Sequence, residues 1–314
     1  MSGARAAGLA LLLGNIFLGQ GGDIVAEVRA ACDARNFALA EREIQSYRAA
    51  AGAAPEMLEA LSWLARGTLD DKQYERADAY AAEARRLSLE LLKREGKGAP
   101  PVATALGAAI EVHAQVLAAR GQRAEAIAYL KTEMATWAGT PLAPRIQKNL
   151  NLLTLEGKPA PALEVSHWLG ARPSQLAALK GHPVLLFFWA HWCVDCKAEV
   201  PILARLMQTY GSKGLVLVGP TQLYGYTADA DATPESETRY IDQVRRQFYA
   251  PLGNMPVPLS AENFQIYGCS TTPTLVLLDS AGIVRLYHPG AMSYDALASQ
   301  VKRFLVSAVH GPHP

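Results

Sequence analysis

The first half of the chain carries apolar residues at three- and four-residue steps, from Ile24 to about Leu155. Three stretches show this spacing clearly, at residues 74–91, 102–117 and 127–137. Such spacing places apolar side chains along one face of a helix, where they can pack against a neighbour. The pattern therefore predicts an all-α N-terminal domain built from amphipathic helices.

The turns between these predicted helices are short, so neighbouring helices are expected to pack as antiparallel hairpins. Residues 73–77 and 121–127 resemble the second helix of tetratricopeptide repeats. The matching alanines, Ala77 and Ala126, lie further apart than the repeat length of about 34 residues, so the array is expected to be irregular. Arrays of this kind present a concave surface that can bind a protein partner. The alternative is that this domain is a plain spacer.

A Gly-Lys-Pro-Ala-Pro segment at residues 157–161 ends the helical pattern. We place a linker at residues 157–162, between a helical domain over residues 22–156 and a second domain over residues 163–309. Beyond the linker, apolar runs of strand length occur at 184–190, 215–218 and 275–278, and a helix is expected to start at Cys193. Strands that alternate with helices predict an α/β domain whose sheet is covered on both faces.

The composition agrees with two folded domains and narrows the choice of partners. The chain has 314 residues, of which 50% are hydrophobic, and its 30 Lys and Arg nearly balance its 29 Asp and Glu. A length of this order suits two domains, and the hydrophobic content argues against a disordered chain. The small net charge argues against nucleic acid as a partner.

The N-terminal 21 residues resemble a secretory signal peptide. Arg5 is followed by an apolar run over residues 6–18 and by the small residues Gly19 and Gly21. The run is too short to cross a bilayer, so it predicts export, to the periplasm in the simplest case, without a stable membrane span. The alternative is an Ala/Leu-rich first helix of the folded domain.

Only two of the four cysteines, Cys193 and Cys196, are close in sequence. This spacing excludes a disulfide-dense scaffold, and no second close pair of Cys or His suggests a structural metal site. Cys32 and Cys269 are interpreted as buried small residues. His113, on the apolar face of the second predicted helix, is interpreted as a core or boundary residue.

Cys193 follows a buried strand and begins a helix, which is an arrangement that activates a thiol. Free backbone N–H groups and the helix dipole stabilise a thiolate at that position and lower the pKa of the thiol. Cys196 falls one helical turn later, within disulfide reach of Cys193. The pattern predicts a redox pair in which Cys193 attacks and Cys196 resolves, in preference to a static disulfide or half of a metal site.

Residues 188–201, Phe-Trp-Ala-His-Trp-Cys-Val-Asp-Cys-Lys-Ala-Glu-Val-Pro, resemble the redox motif of the thioredoxin superfamily, and in particular of its TlpA/ResA branch. The similarity extends over about residues 163–305. Residues 271–274, Thr-Thr-Pro-Thr before an apolar strand, resemble the cis-proline loop of the same family. The resemblance implies a thioredoxin fold with an insertion before that loop, at residues 219–262.

The resemblance also implies roles for side chains around the cysteine pair. Thr272 and Pro273 would bind the partner chain beside the disulfide, and Trp192 would flank the disulfide as a partner-contact surface. Glu199, one turn beyond Cys196, would tune the pair and accept protons, since a half-buried carboxylate can have a raised pKa. The alternative is a solvated charge on the helix surface. His191, two residues before Cys193, is expected to be an exposed side chain at a variable position of the family, and the alternative is that it tunes the thiolate.

These features predict an exported thiol–disulfide oxidoreductase that reduces protein disulfides. It would take protein thiols and disulfides as substrates, draw electrons from an upstream donor, and use no metal or cofactor beyond the Cys193–Cys196 disulfide. A peroxiredoxin-like thiol peroxidase is one alternative, although its Thr-x-x-Cys loop is replaced here by the Phe-Trp-Ala-x-Trp-Cys-x-x-Cys string. A non-enzymatic scaffold is the other alternative, in which the helical array acts and the thioredoxin domain is vestigial.

Overall fold

The computed structural model describes residues 23–95, 100–228 and 230–305. The predicted signal peptide at residues 1–21 and the end of the predicted second domain at residues 306–309 lie outside these ranges. Within them, an all-helical half precedes a half in which strands and helices alternate. The predicted fold class, an all-α domain followed by an α/β domain, is confirmed.

The described part of the N-terminal half consists of helices joined by short connections. These helices are α1 (Ile24–Asp33), α2 (Phe37–Ala51), α3 (Pro55–Asp70), α4 (Tyr74–Glu95), α5 (Pro100–Ala119), α6 (Arg123–Thr136) and α7 (Ala143–Thr154). The three predicted amphipathic stretches coincide with α4, α5 and α6. The tetratricopeptide-like character of the array remains a prediction.

Helix α5 lies at the centre of this half, since it packs against α3, α4, α6 and α7. Among the described residues it is the one helix long and apolar enough to cross a membrane by composition. In the structure 56% of its most apolar segment is buried inside the protein. Facing side chains are small, among them Ala77, Ala81 and Ala84 of α4, which are buried and allow the helices to approach closely. The apolar composition of α5 therefore matches its position in the core.

The described part of the C-terminal half is built around a mixed β-sheet. Its strands are β1 (Trp168–Leu169), β2 (Val184–Phe188), β3 (Val216–Val218), β4 (Tyr226–Thr227), β5 (Ala230–Asp231), β6 (Val257–Pro258), β7 (Thr274–Leu278) and β8 (Val284–Pro289). Its α-helices are α8 (Val194–Tyr210), α9 (Pro234–Phe248), α10 (Ala261–Ile266) and α11 (Tyr294–Leu305). The apolar runs predicted as strands at 184–190, 215–218 and 275–278 correspond to β2, β3 and β7.

The central sheet has the strand order β3-β2-β7-β8, with β2 parallel to β3 and antiparallel to β7. Every residue of β2 and β7 is buried, as expected for strands covered on both faces. The short β1–β6 pair adjoins this sheet. The backbone N–H groups of Gly219 and Thr221 donate to the carbonyl oxygens of Pro256 and Pro258 at 2.9 Å, which aligns β6 with the chain beyond β3.

The two faces of the sheet carry separate hydrophobic cores, because alternate residues of a strand point to opposite faces. Leu185 and Phe187 of β2 belong to the core that contains Cys193 and Cys196. The other residues of β2 belong to a second core, which contains Cys269. The sheet therefore separates Cys269 from the close cysteine pair.

Residues 157–160 pair with the first residue of β8 and the turn before it, although the sequence predicts a linker over residues 157–162. The backbone N–H of Gly157 donates to the carbonyl oxygen of Val284 at 2.8 Å. The backbone N–H of Val284 donates in turn to the carbonyl oxygen of Lys158 at 2.9 Å. Glycine and proline end the helical pattern here as predicted, but the segment then pairs with the edge of the sheet, so it is not a free tether.

The last helix of the N-terminal half, α7, packs against α10 and β8 of the C-terminal half. Asn151 of α7 donates a hydrogen bond from Nδ2 to the carbonyl oxygen of Ile266 at 3.2 Å. Gly268 has a φ of 62°, and a Cβ atom at this residue would lie 2.3 Å from the backbone nitrogen of Lys148. The helical half therefore directly contacts the loop that leads to Pro273.

Candidate active site

Strand β2 and helix α8 together place Cys193 at the start of a helix. The strand ends at Phe188, and a short buried segment leads to Cys193, which is the N-cap residue of α8. Its sulfur accepts a hydrogen bond from the backbone N–H of Cys196 at 3.0 Å. This N–H is one of those that the start of a helix leaves without an intrahelical partner. The same environment would stabilise a thiolate on Cys193 after reduction.

Cys193 and Cys196 form a disulfide, with their Cα atoms 5.3 Å apart. Cys193 is 3% exposed, whereas Cys196 is completely buried. An attacking thiol must be reached by the substrate, and a resolving thiol can stay shielded. Both residues are buried in the disulfide form, so attack by Cys193 and resolution by Cys196 remain a prediction.

The peptide bond between Thr272 and Pro273 is cis, a form that is rare except before proline. The carbonyl oxygen of Pro273 accepts a hydrogen bond from the backbone N–H of Gly290 at 2.7 Å. The carbonyl oxygen of Thr272 lies 3.5 Å from the sulfur of Cys193. An extended chain that bound to this stretch of backbone would lie beside the disulfide.

Exposed apolar side chains lie next to the disulfide. Trp192 is 47% exposed and Val194 is 75% exposed, and Phe248 is exposed as well. Nζ of Lys197 lies 4.5 Å from the centre of the Phe248 ring. Exposed apolar groups of this kind suit contact with another polypeptide. The predicted partner-contact residue Trp192 belongs to this patch.

Comparison with known proteins finds relatives of the C-terminal half. The AhpC/TSA family model matches residues 157–232. The thiol:disulfide interchange protein DsbE of Xylella fastidiosa (strain Temecula1 / ATCC 700964) is 27% identical over 160 residues, which are 50% of this chain and 73% of that protein. The thiol-disulfide oxidoreductase ResA of Bacillus thuringiensis subsp. konkukian (strain 97-27) is 27% identical over 147 residues, which are 47% of this chain and 77% of that protein.

The C-terminal half is a TlpA/ResA-like domain of the thioredoxin superfamily. A solved structure, that of the pneumococcal exposed lipoprotein thioredoxin (Etrx1) from Streptococcus pneumoniae strain TIGR4, is 25% identical with a TM-score of 0.37, and the match covers 46% of this chain and 99% of that chain. In the thioredoxin domain, residues 219–262, called the insertion below, contain β4, β5, α9 and β6.

Glu199 lies on α8, one turn beyond Cys196, and is only 1% exposed inside the thioredoxin domain. Its Oε1 accepts a hydrogen bond from the backbone N–H of Met292 at 3.2 Å. Burial raises the pKa of the Glu199 carboxyl above its ordinary value, and the hydrogen bond from Met292 partly opposes this. Such a carboxyl keeps its proton to a higher pH than an exposed one, which suits the proton-handling role predicted for Glu199.

Replacing Glu199 with glutamine should stabilise the oxidised protein at neutral pH, and not in acid. Because the pKa of Glu199 is raised in the folded protein, the folded state binds its proton more tightly than the unfolded chain does. Wild-type stability therefore falls as the pH rises from the ordinary carboxyl pKa through the raised one, and glutamine removes that fall.

Urea unfolding of both proteins across the pH range checks this prediction. The two free energies of unfolding should agree below the ordinary carboxyl pKa of about 4 and should separate as the pH rises through the raised pKa. Asp195→Asn removes an exposed carboxylate from the same helix and is the matched control. A constant difference between Glu199→Gln and wild type at all pH values would contradict the prediction.

His191 is buried, which corrects the prediction that it is exposed. It is 2% exposed, and its ring meets those of Tyr224, Tyr226 and Tyr240 at centroid distances of 5.5, 5.2 and 5.4 Å. Its Nε2 lies 3.3 Å from Oε1 of Glu237, which is also buried. The physical reason is that the insertion folds over this residue, and the tyrosines of the insertion are the sequence signal for that cover.

The two remaining cysteines lie in environments that keep their thiols protonated. Cys269 is buried, as predicted, and burial raises the pKa of its thiol well above the ordinary value. Cys32 is half-buried rather than buried, and burial raises the pKa of its thiol to about 11. Since the thiolate is the reactive form, neither thiol shares the activated environment of Cys193.

His113 lies at the boundary of the helical half, in agreement with its predicted placement. Its Nδ1 is 2.6 Å from Oδ1 of Asp78 on α4, a partner that the sequence did not indicate. The His113 ring also packs edge to face against Tyr129, with the ring centres 4.7 Å apart. These contacts explain its position by packing and pairing within the helical half.

Proposed function

We propose that this protein is an exported thiol–disulfide oxidoreductase that reduces disulfide bonds of other proteins. The enzyme class is confirmed, since the similar proteins named above are a thiol-disulfide oxidoreductase and a thiol:disulfide interchange protein. One observation carries the proposal for these residues. The Cys193–Cys196 disulfide lies at the start of α8, 3.5 Å from the backbone oxygen of Thr272 and next to the exposed ring of Trp192.

In the proposed reaction, the reduced protein attacks the substrate disulfide with the thiolate of Cys193. A bond forms between Cys193 and one substrate sulfur, the substrate disulfide breaks, and the released substrate thiolate takes up a proton. Cys196 then loses its proton and attacks the sulfur of Cys193, which releases the second substrate thiol. The substrate gains two electrons and two protons, and the protein is left with the Cys193–Cys196 disulfide.

Neighbouring residues support the two steps in this proposal. Glu199 accepts the proton of Cys196, because it is a buried carboxyl one helical turn away. The backbone around Thr272 and Pro273 binds the substrate chain, and Trp192 contacts its side chains. An upstream dithiol donor must return two electrons to the disulfide after each cycle.

The charges near the pair favour reduction of other proteins over oxidation. A strongly oxidising pair has a reduced form stabilised by a very low thiolate pKa. The helix start stabilises the thiolate of Cys193, but Asp195 lies in the first turn of α8 and Glu199 lies one turn beyond Cys196. Negative charge nearby opposes a second negative charge, so the thiolate should be only moderately stabilised.

A redox titration in glutathione buffers should place the midpoint potential of the pair nearer −270 mV, about the value of thioredoxin, than the strongly oxidising value of about −120 mV. The reduced protein should also cleave the disulfides of insulin, and the double variant Cys193→Ser, Cys196→Ser should not. A midpoint near the oxidising value would contradict the direction and would make the protein a disulfide donor. If the thiols of Cys193 and Cys196 can be titrated but the protein does not reduce insulin, the scaffold alternative would be favoured.

The redox-active group of this proposal is the cysteine pair itself, without a metal or organic cofactor. Within residues 23–95, 100–228 and 230–305, no three His, Cys, Asp or Glu side chains are grouped so that they could hold a metal ion. Protein thiols and disulfides are the proposed substrates, and nucleic acid is not a proposed partner.

A thiol peroxidase is the second candidate, because the AhpC/TSA family model matches residues 157–232. Consumption of hydrogen peroxide by the reduced protein separates the two candidates. We expect peroxide to react no faster than it does with an ordinary exposed thiolate. Rapid peroxide consumption that requires Cys193 and exceeds insulin reduction would favour the peroxidase.

Export to the periplasm is proposed from the signal-like sequence of residues 1–21. An oxidising compartment would also explain the need for an upstream electron donor. Fractionation of cells that produce the full chain tests the location, with a variant that lacks residues 2–21 as the control.

The helical half is proposed to bind a protein partner, and the alternative is that it is a plain spacer.

A further inference from the structure

A buried ionisable pair joins the insertion to residues 189–193, called the redox loop below. Glu237 lies in the first turn of α9, and His191 lies in the redox loop, two residues before Cys193. The carboxylate of Glu237 accepts hydrogen bonds from the backbone N–H groups of Tyr224 and Gly225, at 2.6 and 2.8 Å. Its Oε1 also lies 3.3 Å from Nε2 of His191. One carboxylate therefore holds groups from both segments.

The two backbone hydrogen bonds account for the burial of Glu237, whereas the burial of His191 beside it is not explained by a hydrogen bond. Nε2 of His191 is buried and makes no aligned hydrogen bond, so its contact with Glu237 is electrostatic. Burial lowers the pKa of His191, and the neighbouring carboxylate of Glu237 opposes this shift. Well-packed apolar residues are often at least as stabilising as a buried pair of this kind. Buried ionisable groups with shifted pKa values beside an active site are candidates for a role in that site.

The pair bears on Trp192, which is the exposed aromatic side chain of the redox loop. The ring of Tyr224 packs edge to face against both His191 and Trp192, at centroid distances of 5.5 and 5.6 Å. Glu237 holds Tyr224 through its backbone N–H and faces the ring of His191, the residue directly before Trp192. The carboxylate of Glu237 therefore helps to position two groups. One is the backbone that leads into Trp192, and the other is the Tyr224 ring against which Trp192 packs.

We propose that Glu237 and His191 are a positioning pair, which holds Trp192 in the orientation that receives a protein substrate beside the disulfide. The inference rests on the proposed function. In this inference, the insertion orients the surface that contacts the substrate and takes no part in the chemistry of Cys193. A small disulfide that reaches Cys193 without touching Trp192 should therefore be independent of the pair.

Glu237→Gln and His191→Phe should each lower kcat/KM for insulin reduction about tenfold, chiefly through a higher KM, because small misplacements of a positioning group have effects of this order or larger. The rate at which the reduced variants react with dithiobis-nitrobenzoate, a small disulfide, should stay within about twofold of wild type. Glu235→Gln removes the same charge from the same turn of α9 at an exposed residue, so it should match wild type in both assays. His191→Gln keeps a polar N–H group that can face the carboxylate of Glu237 electrostatically, so it should retain more insulin activity than His191→Phe.

Equal losses with insulin and with the small disulfide would overturn the inference, because the pair would then act on Cys193 or on folding. Wild-type rates for Glu237→Gln and His191→Phe with both substrates would overturn it as well. Urea unfolding identifies a variant that fails to fold. If Glu237→Gln fails to fold, the insulin activities of His191→Phe and His191→Gln are compared instead, and they decide whether the inference holds. Wild-type protein that reacts with the small disulfide but leaves insulin intact would contradict the proposed function instead.

Discussion

Cys196→Ser should trap a protein substrate on Cys193 as a mixed disulfide, and should lower turnover to below about one-thousandth of the wild-type rate. Cys193 can still attack the substrate, but no second thiol lies beside it to release the product. Non-reducing gel electrophoresis should show an adduct that a reductant removes, and peptide mass spectrometry should place the new bond at Cys193. The trapped protein would also identify the substrate class.

Cys32→Ser and Cys269→Ser are the matched controls for this experiment. Burial raises the pKa of both thiols, and the sheet separates Cys269 from the disulfide, so both variants should turn over at the wild-type rate. Trapping by Cys193→Ser in place of Cys196→Ser would reverse the two assigned roles. Adducts that persist in the double variant Cys193→Ser, Cys196→Ser would show that another cysteine reacts.

Gly268→Ala should destabilise the protein by about 2–4 kcal/mol, because it combines backbone strain with overpacking. The φ of 62° is costly for alanine, and the added Cβ would lie 2.3 Å from the backbone nitrogen of Lys148. That neighbour is backbone of α7, so it cannot turn aside as a flexible side chain could. The helical half and the loop must move apart to admit the methyl group. We therefore expect insulin reduction to fall as well, since the same loop leads to Pro273.

Gly121→Ala separates the two causes of this effect. Gly121 also has a positive φ, of 81°, but nothing lies within 4 Å of the position that its Cβ would take. The control should carry the conformational cost alone, about 1–2 kcal/mol, and should leave insulin reduction unchanged. Equal losses of unfolding free energy in the two variants would show that α7 does not press on the loop.

The sequence predicts the parts of the thioredoxin domain whose cause is local. Residues 184–190 are continuously apolar, and the strand found there is buried at every position. Cys193 begins the helix as expected, because a strand, a short connection and a helical pattern follow one another without interruption. The cis bond at Pro273 was likewise predicted from a resemblance carried by adjacent residues.

The features that sequence reasoning missed depend on contacts between distant segments. His191 is buried because Glu237 and three tyrosines of the insertion contact it. The tyrosines are visible in the sequence, but the residues next to His191 do not indicate that the insertion folds back over it. The strands β1, β4, β5 and β6 have two residues each, which is too short for alternation to be visible.

The predicted linker shows the same limit. Its glycine and prolines predict where a helix stops, but they do not indicate which segment lies alongside. Residues 157–160 pair with the first residue of β8 and the turn before it. Helix α7 also remains packed against the thioredoxin domain. A fragment that starts near residue 160 would therefore lose a neighbour of the loop before Pro273, in addition to the helical half.

The placement of Cys269 on the face of the sheet opposite the disulfide has a consequence for how the chain acquires its native bond. In the folded protein, strands β2 and β7 stand between this thiol and Cys193, so a mispaired bond would require the sheet to open. Errors of pairing are therefore confined to the time before β7 has joined β2. In an oxidising compartment, the yield of correctly bonded protein therefore depends on whether the sheet forms faster than the cysteines are oxidised. A Cys269→Ser chain should refold under oxidising conditions with fewer scrambled isomers, without any gain in the stability of the product.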